Sequence, residues 1–593
     1  MKLKNILILA TLIGAFCACD DLINPALENI QTEEQMFKDP STAQGILGYA
    51  YGNLPFETKS STDIATDDAV TNDLGNNLRS MAQGSWAATN NPVSQWDARK
   101  STIQYINLFL KNVADVPWSS TEYKQAMFVD KLSGEAYGLR ALNMYYLLRN
   151  HAGWTSDGQL LGVPIILEPE GAGSDFNQPR ATFEDCVKQI YADADAAIAL
   201  LPADYVNISD ASEIPSKYKE IGVTNFGEYN SVFGATFRGR MSGQIAEAIK
   251  ALTALLAASP AYSEASGVTY EEAAEAAAIV LDRIGGVSGM DPVGYKWFME
   301  KKTIEALGSG ASPKEILWRG SRTKGEEDYS FGISQEKDNF PPTLYGSGRI
   351  NPTQNFVDAF PMADGTPISE SESYDPSNPY SGRDPRLSEY VIYNGAKYKD
   401  TEIITGLYSS DNNGLNKTAT STRTGYYLRK LLRDDCNPNP SSVNAQYHYP
   451  VYLRYTEFYL AYAEAANEAY GPSTAGPSGY SAYDVIKAIH DRAGVGNDYL
   501  DSIKNDQTKM RELIRNERRI ELSFENKRFW DMRRWKLDLN QTAKGVSITQ
   551  AGGALKYEII DVESRNYRDY MYYGPIPETE VLKWSNLDQN KGW

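Results

Sequence analysis

Helical periodicity is the feature that most restricts how this chain can fold. Between a Thr182 to Asp185 capping box and Pro202, apolar residues recur at i, i+3, i+4 and i+7, as on the buried face of an α-helix. Small residues such as Ala136 and Ala465 stand where neighbouring helices pack closely, which is typical of tetratricopeptide-like helix pairs. The same periodicity predicts further helices near 41–54, 97–113, 131–149, 245–256, 271–284, 454–469, 481–493 and 508–524. We therefore expect a mostly α fold.

The segment from about 310 to 450 lacks this helical periodicity. Short β-prone runs at 315–318, 389–393 and 426–429 alternate with turn-rich stretches at 361–385 and 409–425. Long loops form binding surfaces more often than cores. We expect loop-rich, short-strand insertions in the helical fold, with some of these loops at a ligand site.

Charge argues against nucleic acid as a ligand. The 593 residues include 58 Lys and Arg against 77 Asp and Glu, a net charge of -19. A negative field of this size repels phosphate backbones.

The N-terminus has the pattern of an exported lipoprotein. Lys2 and Lys4 precede an apolar stretch of about eleven residues, which is too short to cross a bilayer and typical of a signal peptide. Small Ala18 before Cys19 resembles the lipobox of bacterial lipoproteins; Cys17 is the alternative, but it would put bulky Phe16 at the cleavage position. We predict a signal peptide at 1–18, lipidation of Cys19 and a tether at 19–31. The acidic residues after Cys19 resemble an export signal for the outer face of the outer membrane.

Catalytic and metal-binding motifs are scarce in the sequence. There is no P-loop, dinucleotide fingerprint or nucleophile elbow, and none of His151, His448 and His490 has a second His at metal-ligand spacing. Beyond Cys19 only Cys186 and Cys436 remain, which we expect to be free thiols. We expect no catalytic residue, no metal and no cofactor.

One carboxylate pair requires a closer look, because glycosidases need only two such groups. Glu517 and Glu521 lie i, i+4 on one predicted helix. Arg515, Arg518, Arg519, Arg528, Arg533 and Arg534 surround them in sequence. Because cationic neighbours lower a carboxyl pKa where a general acid needs it raised, we interpret the pair as structural.

The same segment, residues 515–535 (RNERRIELSFENKRFWDMRRW), resembles the C-terminal hallmark of the RagB/SusD family of nutrient-binding outer-membrane lipoproteins. Other segments are similar to family segments in the same order along the whole mature chain. They are EAYGLRA at 135–141, GVP at 162–164, NPTQ at 351–354, RDPR at 383–386, residues 426–430, RY at 454–455, YAEA at 462–465, PIP at 575–577 and NLDQNKGW at 586–593.

The resemblance implies a fold and a function. It implies one SusD-like helical fold, with an N-terminal region at 32–345 and a C-terminal region at 346–593. It also implies glycan capture at the cell surface and a SusC-like TonB-dependent transporter as partner, without enzymatic activity. Capture of another nutrient such as peptides is the first alternative and a glycosidase the second.

We predict that the ligand site is built from residues 66–96 and 325–350. Sugars stack on exposed aromatic rings and bond to polar side chains beside them. Trp86 has no periodic apolar partners and is the best platform, whereas core and ligand roles are equally supported for Trp96. The other predicted ligand residues are Asp68, Arg79, Tyr329 and Tyr345.

Overall fold

The computed structural model describes residues 32–57, 61–308, 311–325 and 333–593. The predicted signal peptide, Cys19 with its tether, and Tyr329 lie outside the described residues.

The long helices agree closely with the predicted ones. The helix expected at 131–149 begins earlier, at Glu122, and one helix at 226–233 was not predicted. The long helices are α1 (Pro40–Gly52), α2 (Trp96–Asn112), α3 (Glu122–His151), α4 (Phe183–Leu200), α5 (Phe226–Phe233), α6 (Gly243–Ala258), α7 (Tyr270–Asp282), α8 (Tyr455–Tyr470), α9 (Ala482–Ala493) and α10 (Gln507–Glu521).

Shorter helical segments connect these elements. The short α-helices are Glu33–Lys38, Asn77–Ser80, Ser216–Glu220, Lys301–Ala306, Ser334–Asn339, Gln354–Ala359, Arg386–Tyr390, Asp498–Ile503, Arg528–Arg534 and Glu578–Lys583. Single helical turns are Thr62–Ala65, Met81–Ser85, Ala211–Glu213, Ala235–Phe237, Gly286–Gly289, Gly294–Met299, Pro342–Leu344 and Asp569–Tyr572.

Local sequence sets the ends of these helices. The Thr182 hydroxyl accepts a hydrogen bond from the Asp185 amide, as the capping box predicts, and Ser481 does the same for α9. Gly494 ends α9 in the left-handed region (φ 75°), where a Cβ would be strained.

The helices form a stack in which each packs on the next. Helix α3 contacts α2 and α4, α6 contacts α4 and α7, and α7 contacts α8, which in turn contacts α9 and α10. Their facing surfaces are rich in alanine, including Ala136, Ala197 and Ala465, each fully buried. This confirms the mostly α architecture with paired helices. No helix among the described residues has the length and apolar character to cross a membrane.

The strands are short and pair two by two, all antiparallel. The expectation of a strand at 389–393 is wrong in its first part, because a short helix runs to Tyr390. The strands are β1 (Ala69–Thr71), β2 (Gly153–Trp154), β3 (Leu160–Leu161), β4 (Ile316–Arg319), β5 (Ile350–Pro352), β6 (Val391–Ile392), β7 (Ala396–Tyr398), β8 (Thr401–Ile403), β9 (Tyr427–Leu428), β10 (Val451–Arg454), β11 (Ala543–Ala551) and β12 (Ala554–Glu563).

Two large hydrophobic clusters form most of the interior. The first extends from Phe37 to Leu587 and the second from Ile64 to Met571. Each therefore draws side chains from both predicted regions, 32–345 and 346–593. The boundary at 345/346 stays a prediction.

Candidate functional site

A polar groove lies where the start of the chain meets its C-terminal hairpin. Its volume is about 510 Å³, within the range of roughly 300–1,000 Å³ common for small-molecule sites. We call it the Arg79 groove. It is lined by Arg79, Gln83, Arg423, Val562, Glu563, Ser564, Arg565 and Asn566.

Strand pairing brings the two predicted ligand segments together beside this groove. Strand β1 pairs with β5 through Thr71 opposite Ile350. Directly after β1, the Asn72 side-chain amide donates to the Ser347 carbonyl (2.8 Å), which ties the loop carrying Tyr345 to the segment leading to Arg79. Parts of the predicted ligand segments 66–96 and 325–350 therefore lie side by side, while their role in ligand binding stays a prediction.

Glu563 organises the cations of the groove. One of its oxygens accepts from Arg79 Nε (2.7 Å) and Arg423 Nη1 (2.8 Å), and the other from Arg565 Nη1 (2.7 Å). Burial alone would raise the pKa of this carboxyl, but its bond to Arg423 and the charge of Arg565 outweigh burial and lower it. Glu563 therefore stays ionised and holds the arginines in fixed positions.

The groove surface presents two partly exposed arginines and three exposed polar residues as hydrogen-bonding groups. The side chains of Arg79 and Arg423 are each 17% exposed. Gln83, Ser564 and Asn566 are exposed. Such a set of donors and acceptors suits a ligand with many hydroxyl or carbonyl groups.

A close backbone approach shapes the floor of the groove. The Asn566 amide donates to the Ala82 carbonyl (2.8 Å), joining the Met81–Ser85 turn to the chain after β12. Gly84 lies there at φ 109°, and a Cβ at this position would come within 2.6 Å of the side-chain nitrogen (Nδ2) of Asn566. The positive φ favours glycine here, and any larger residue would also displace the Asn566 side chain.

The two predicted tryptophan platforms are corrected by the structure. Trp86 is 3% exposed and its ring packs against Trp593 (centroids 5.0 Å) and beneath the Arg533 guanidinium (5.0 Å). Trp96 is 1% exposed, opens α2 and meets His151 edge to face. Neither ring has a free face for a sugar, because chain segments more than fifty residues away cover both.

The remaining predicted ligand residues lie in different environments. Asp68 is fully buried and its carboxylate accepts from Arg519 Nε (2.6 Å), so it is an internal ion-pair residue and its expected ligand role is corrected. Arg79 lines the groove. Tyr345 is 56% exposed, the most exposed tyrosine of the described chain. The roles of Arg79 and Tyr345 stay predictions.

Sequence reasoning missed most of the groove. Gln83 falls within the predicted segment but was not singled out, and Arg423 belongs to the turn-rich stretch 409–425. Glu563, Ser564 and Asn566 follow a hairpin that was not predicted. Nothing local links residues 79–83 to residues 562–566, since they are some 480 positions apart.

A second cavity is more aromatic but smaller. It measures about 110 Å³, and among its lining residues are Phe56, stacked on Tyr452 (4.6 Å), and Trp530, stacked on the Arg149 guanidinium (4.1 Å). This volume is well below the usual range for ligand sites. We therefore place the candidate site at the Arg79 groove.

Glu517 and Glu521 form a structural ion cluster, as the sequence analysis interpreted. Both accept from Arg386 Nη1 at 2.9 Å, and Glu521 also accepts from Arg492 (2.8 Å). Although burial acts to raise them, the pKa values of both carboxyls are lowered by these cations and, for Glu517, by His490. The expected partners are corrected: Arg518, Arg519, Arg528 and Arg534 instead bond to acidic residues outside this pair.

Comparison with known families agrees with the fold and the motifs. A family described as "SusD family" matches residues 314–593, and one described as "Starch-binding associating with outer membrane" matches residues 29–217. The chain belongs to the RagB/SusD family. A curated relative, SusD-like protein P2 of Formosa agariphila, is 32% identical over 142 residues, which cover 23% of this chain and 24% of that protein.

Solved structures share the whole fold. A SusD-like protein of Bacteroides fragilis is 22% identical with a TM-score of 0.69, covering 96% of this chain and 100% of that one. A SusD-like carbohydrate binding protein of the same species is 24% identical with a TM-score of 0.66, covering 93% and 99%. Surface glycan-binding protein A from Bacteroides fluxus is 19% identical with a TM-score of 0.58, covering 94% and 100%. At these identities the likeness establishes the fold.

Proposed function

We propose that this protein is a non-enzymatic, lipid-anchored glycan-binding protein of the cell surface. It captures oligosaccharides in the Arg79 groove and delivers them to a SusC-like TonB-dependent transporter. The observation that carries the proposal is the groove itself, whose arginines are held in place by Glu563 beside exposed polar side chains. The family's description as starch-binding and associated with the outer membrane supports the same ligand class.

A glycan fits the chemistry of the groove. Sugar hydroxyls each donate and accept, so they can bond to guanidinium, amide and hydroxyl groups of the kind presented by Arg423, Asn566 and Ser564. Exposed Tyr345 lies on the loop bonded to Asn72 and could stack on a sugar ring. Ordered waters commonly complete such contacts.

The alternatives have less support. A glycosidase needs two carboxylates, one of them with a raised pKa. Glu563 is the single carboxylate among the described groove-lining residues, and its pKa is lowered. Peptide capture uses similar hydrogen bonds and remains the alternative that experiment must separate.

The test is a glycan array set beside a peptide library, both probed with the purified protein. We expect selective retention of one glycan class and no enrichment of peptides. Incubation of the retained glycan with the protein should leave it unchanged by mass spectrometry. Peptide enrichment without glycan binding would contradict the ligand class, and cleavage of the glycan would contradict a non-enzymatic role.

The proposed anchor gives a separate prediction. Replacing Cys19 by Ala should prevent lipidation and release the protein in soluble form, since the tether residues 19–31 precede the first described helix, Glu33–Lys38. Cell fractionation with circular dichroism measures both localisation and folding. Retention of folded Cys19→Ala protein in the membrane would contradict a lipid anchor; Cys186→Ala, at a buried internal thiol, is the control.

The transporter follows from the proposed location. A surface-anchored binding protein cannot move a sugar across the outer membrane by itself, so uptake requires a channel. A tether of about a dozen residues reaches roughly 20 Å as a flexible coil, enough for hinging over such a channel. We expect a TonB-dependent barrel protein at comparable abundance in a mild-detergent pull-down from cells grown on the bound glycan. Recovery of the tagged protein alone would contradict the partnership.

A further inference from the structure

Three potential metal ligands from distant parts of the chain meet in the interior. The Glu336 carboxylate, the Cys436 thiol and the His448 imidazole each offer one ligand atom, and these atoms all lie within 4.8 Å of one another. Glu336 and Cys436 are fully buried and His448 is 7% exposed. The residues are up to 112 positions apart, so sequence spacing does not reveal them.

The histidine is oriented as a metal ligand would be. His448 Nδ1 lies 2.9 Å from the Gln446 carbonyl, to which it can only donate. In a neutral ring this leaves a lone pair on Nε2, the nitrogen that points at Glu336 Oε1 3.0 Å away. Two acceptors do not approach so closely unless a proton or a cation lies between them. Metal-bound histidines usually donate their other nitrogen to a carbonyl or carboxylate in this way.

Unpartnered polar atoms surround the same point. Glu336 Oε1 accepts from the Arg433 amide (2.8 Å), whereas Oε2, also buried, has no hydrogen-bond partner. The buried Tyr398 hydroxyl has no hydrogen-bond partner either, and it lies close enough to interact electrostatically with Glu336 and Cys436. Buried polar atoms left without partners are costly, so these two atoms indicate that something else binds there.

We propose that Glu336, Cys436 and His448 bind a Zn²⁺ ion. Sulfur, nitrogen and oxygen are the ligand atoms zinc prefers, and three-ligand zinc sites take water as the fourth ligand. Bonds of ~2.0–2.3 Å place tetrahedral ligand atoms roughly 3.3–3.8 Å apart, so the present spacing needs only small adjustments. A thiolate and a carboxylate neutralise the ion in this buried setting.

The surroundings favour a structural role for the ion. Ile333, Ala445 and Val443 pack around Cys436 as a small apolar cluster of their own. The ion would join the short helix Ser334–Asn339 to the loop at 433–448, adding to the bonds that Glu336 makes with Arg433 and His448. We therefore expect zinc to stabilise this part of the fold, independently of glycan binding.

The test uses the purified full chain, stripped with EDTA and then titrated with Co²⁺ and Zn²⁺. We expect one Co²⁺ per chain, with a thiolate-to-cobalt charge-transfer absorption that Zn²⁺ abolishes, and a rise in Tm on addition of Zn²⁺. Cys436→Ser should lose the absorption and the rise in Tm. Cys186→Ser, the matched change at the other buried thiol, should keep both.

Two results would overturn the proposal. The first is folded wild-type protein that takes up no stoichiometric Co²⁺ and shows no charge-transfer absorption; the cluster is then a hydrogen-bonded ion pair. The second is an absorption that survives Cys436→Ser. Because the first result is measured on wild-type protein, the proposal can be overturned even if the Cys436→Ser variant does not fold.

Discussion

Replacing Arg386 by Met should lower the free energy of unfolding by about 3–5 kcal/mol, because it leaves buried carboxylates without their shared cation. Arg386 is fully buried and bonds to Asp384 (2.6 Å), Glu517 (2.9 Å) and Glu521 (2.9 Å). No water can replace the guanidinium without opening the core. Urea unfolding followed by circular dichroism measures the effect, and a variant that fails to fold also agrees with it.

Lys188→Met is the matched control for this change. Lys188 pairs with Glu184 on the surface, where the two side chains are 66% and 46% exposed. Exposed pairs of this kind contribute little to stability, because water screens both charges. Equal stability losses at Lys188 and Arg386 would contradict the role assigned to the buried cluster.

Asp63→Asn should stabilise the protein at neutral and alkaline pH. Asp63 is fully buried, and burial together with the charge of Asp68 raises its pKa from 3.8 to about 7, against the hydrogen bond from Ser61. Below pH 4 the Asp63 carboxyl is protonated in both the folded and the unfolded protein, so its burial causes no pH-dependent loss of stability. Between about pH 4 and 7 the carboxyl ionises in the unfolded chain but stays protonated in the folded one, so stability falls with rising pH by ~4 kcal/mol at most and levels off above pH 7.

Urea unfolding of both proteins at pH 4, 6 and 8 measures this difference. It should be small at pH 4 and largest at pH 8, with the variant the more stable. Asp115→Asn removes an exposed carboxylate and controls for the change in net charge. A difference between wild type and Asp63→Asn that does not grow with pH would show that Asp63 ionises freely in the folded protein.

Much of the fold was predictable because its elements are specified locally. Capping residues and apolar periodicity located nine of the ten long helices. The hairpin of β11 and β12 had a signal that was overlooked: alternating residues on either side of Gly552-Gly553, a pair suited to a tight turn. The family motifs were also readable, since RDPR at 383–386 and the α10 segment bond to each other in the core.

The candidate site was only partly predictable. Residues 66–96 and 325–350 were expected to contribute to one ligand site; strands β1 and β5 bring parts of them together, and their role in binding stays a prediction. Trp86 and Trp96 were misjudged because their covering residues, Trp593 and Glu580, come from the far end of the chain. Burial of a ring by sequence-distant segments leaves no local pattern.

Calorimetric titration of the protein with the glycan that binds most tightly on the array tests most directly the claim that glycan binds in the Arg79 groove. Gln83→Ala combined with Asn566→Ala removes two exposed side chains for which the described structure shows no internal hydrogen bond, so the fold should persist. At about 1 kcal/mol for each lost hydrogen bond, Kd should rise tenfold or more. Tyr345→Ala should also weaken binding, whereas Tyr105→Ala, at an exposed tyrosine on α2, should not. Unchanged affinity in the double variant and in Tyr345→Ala, with glycan still bound, would place the ligand on another surface and contradict the account.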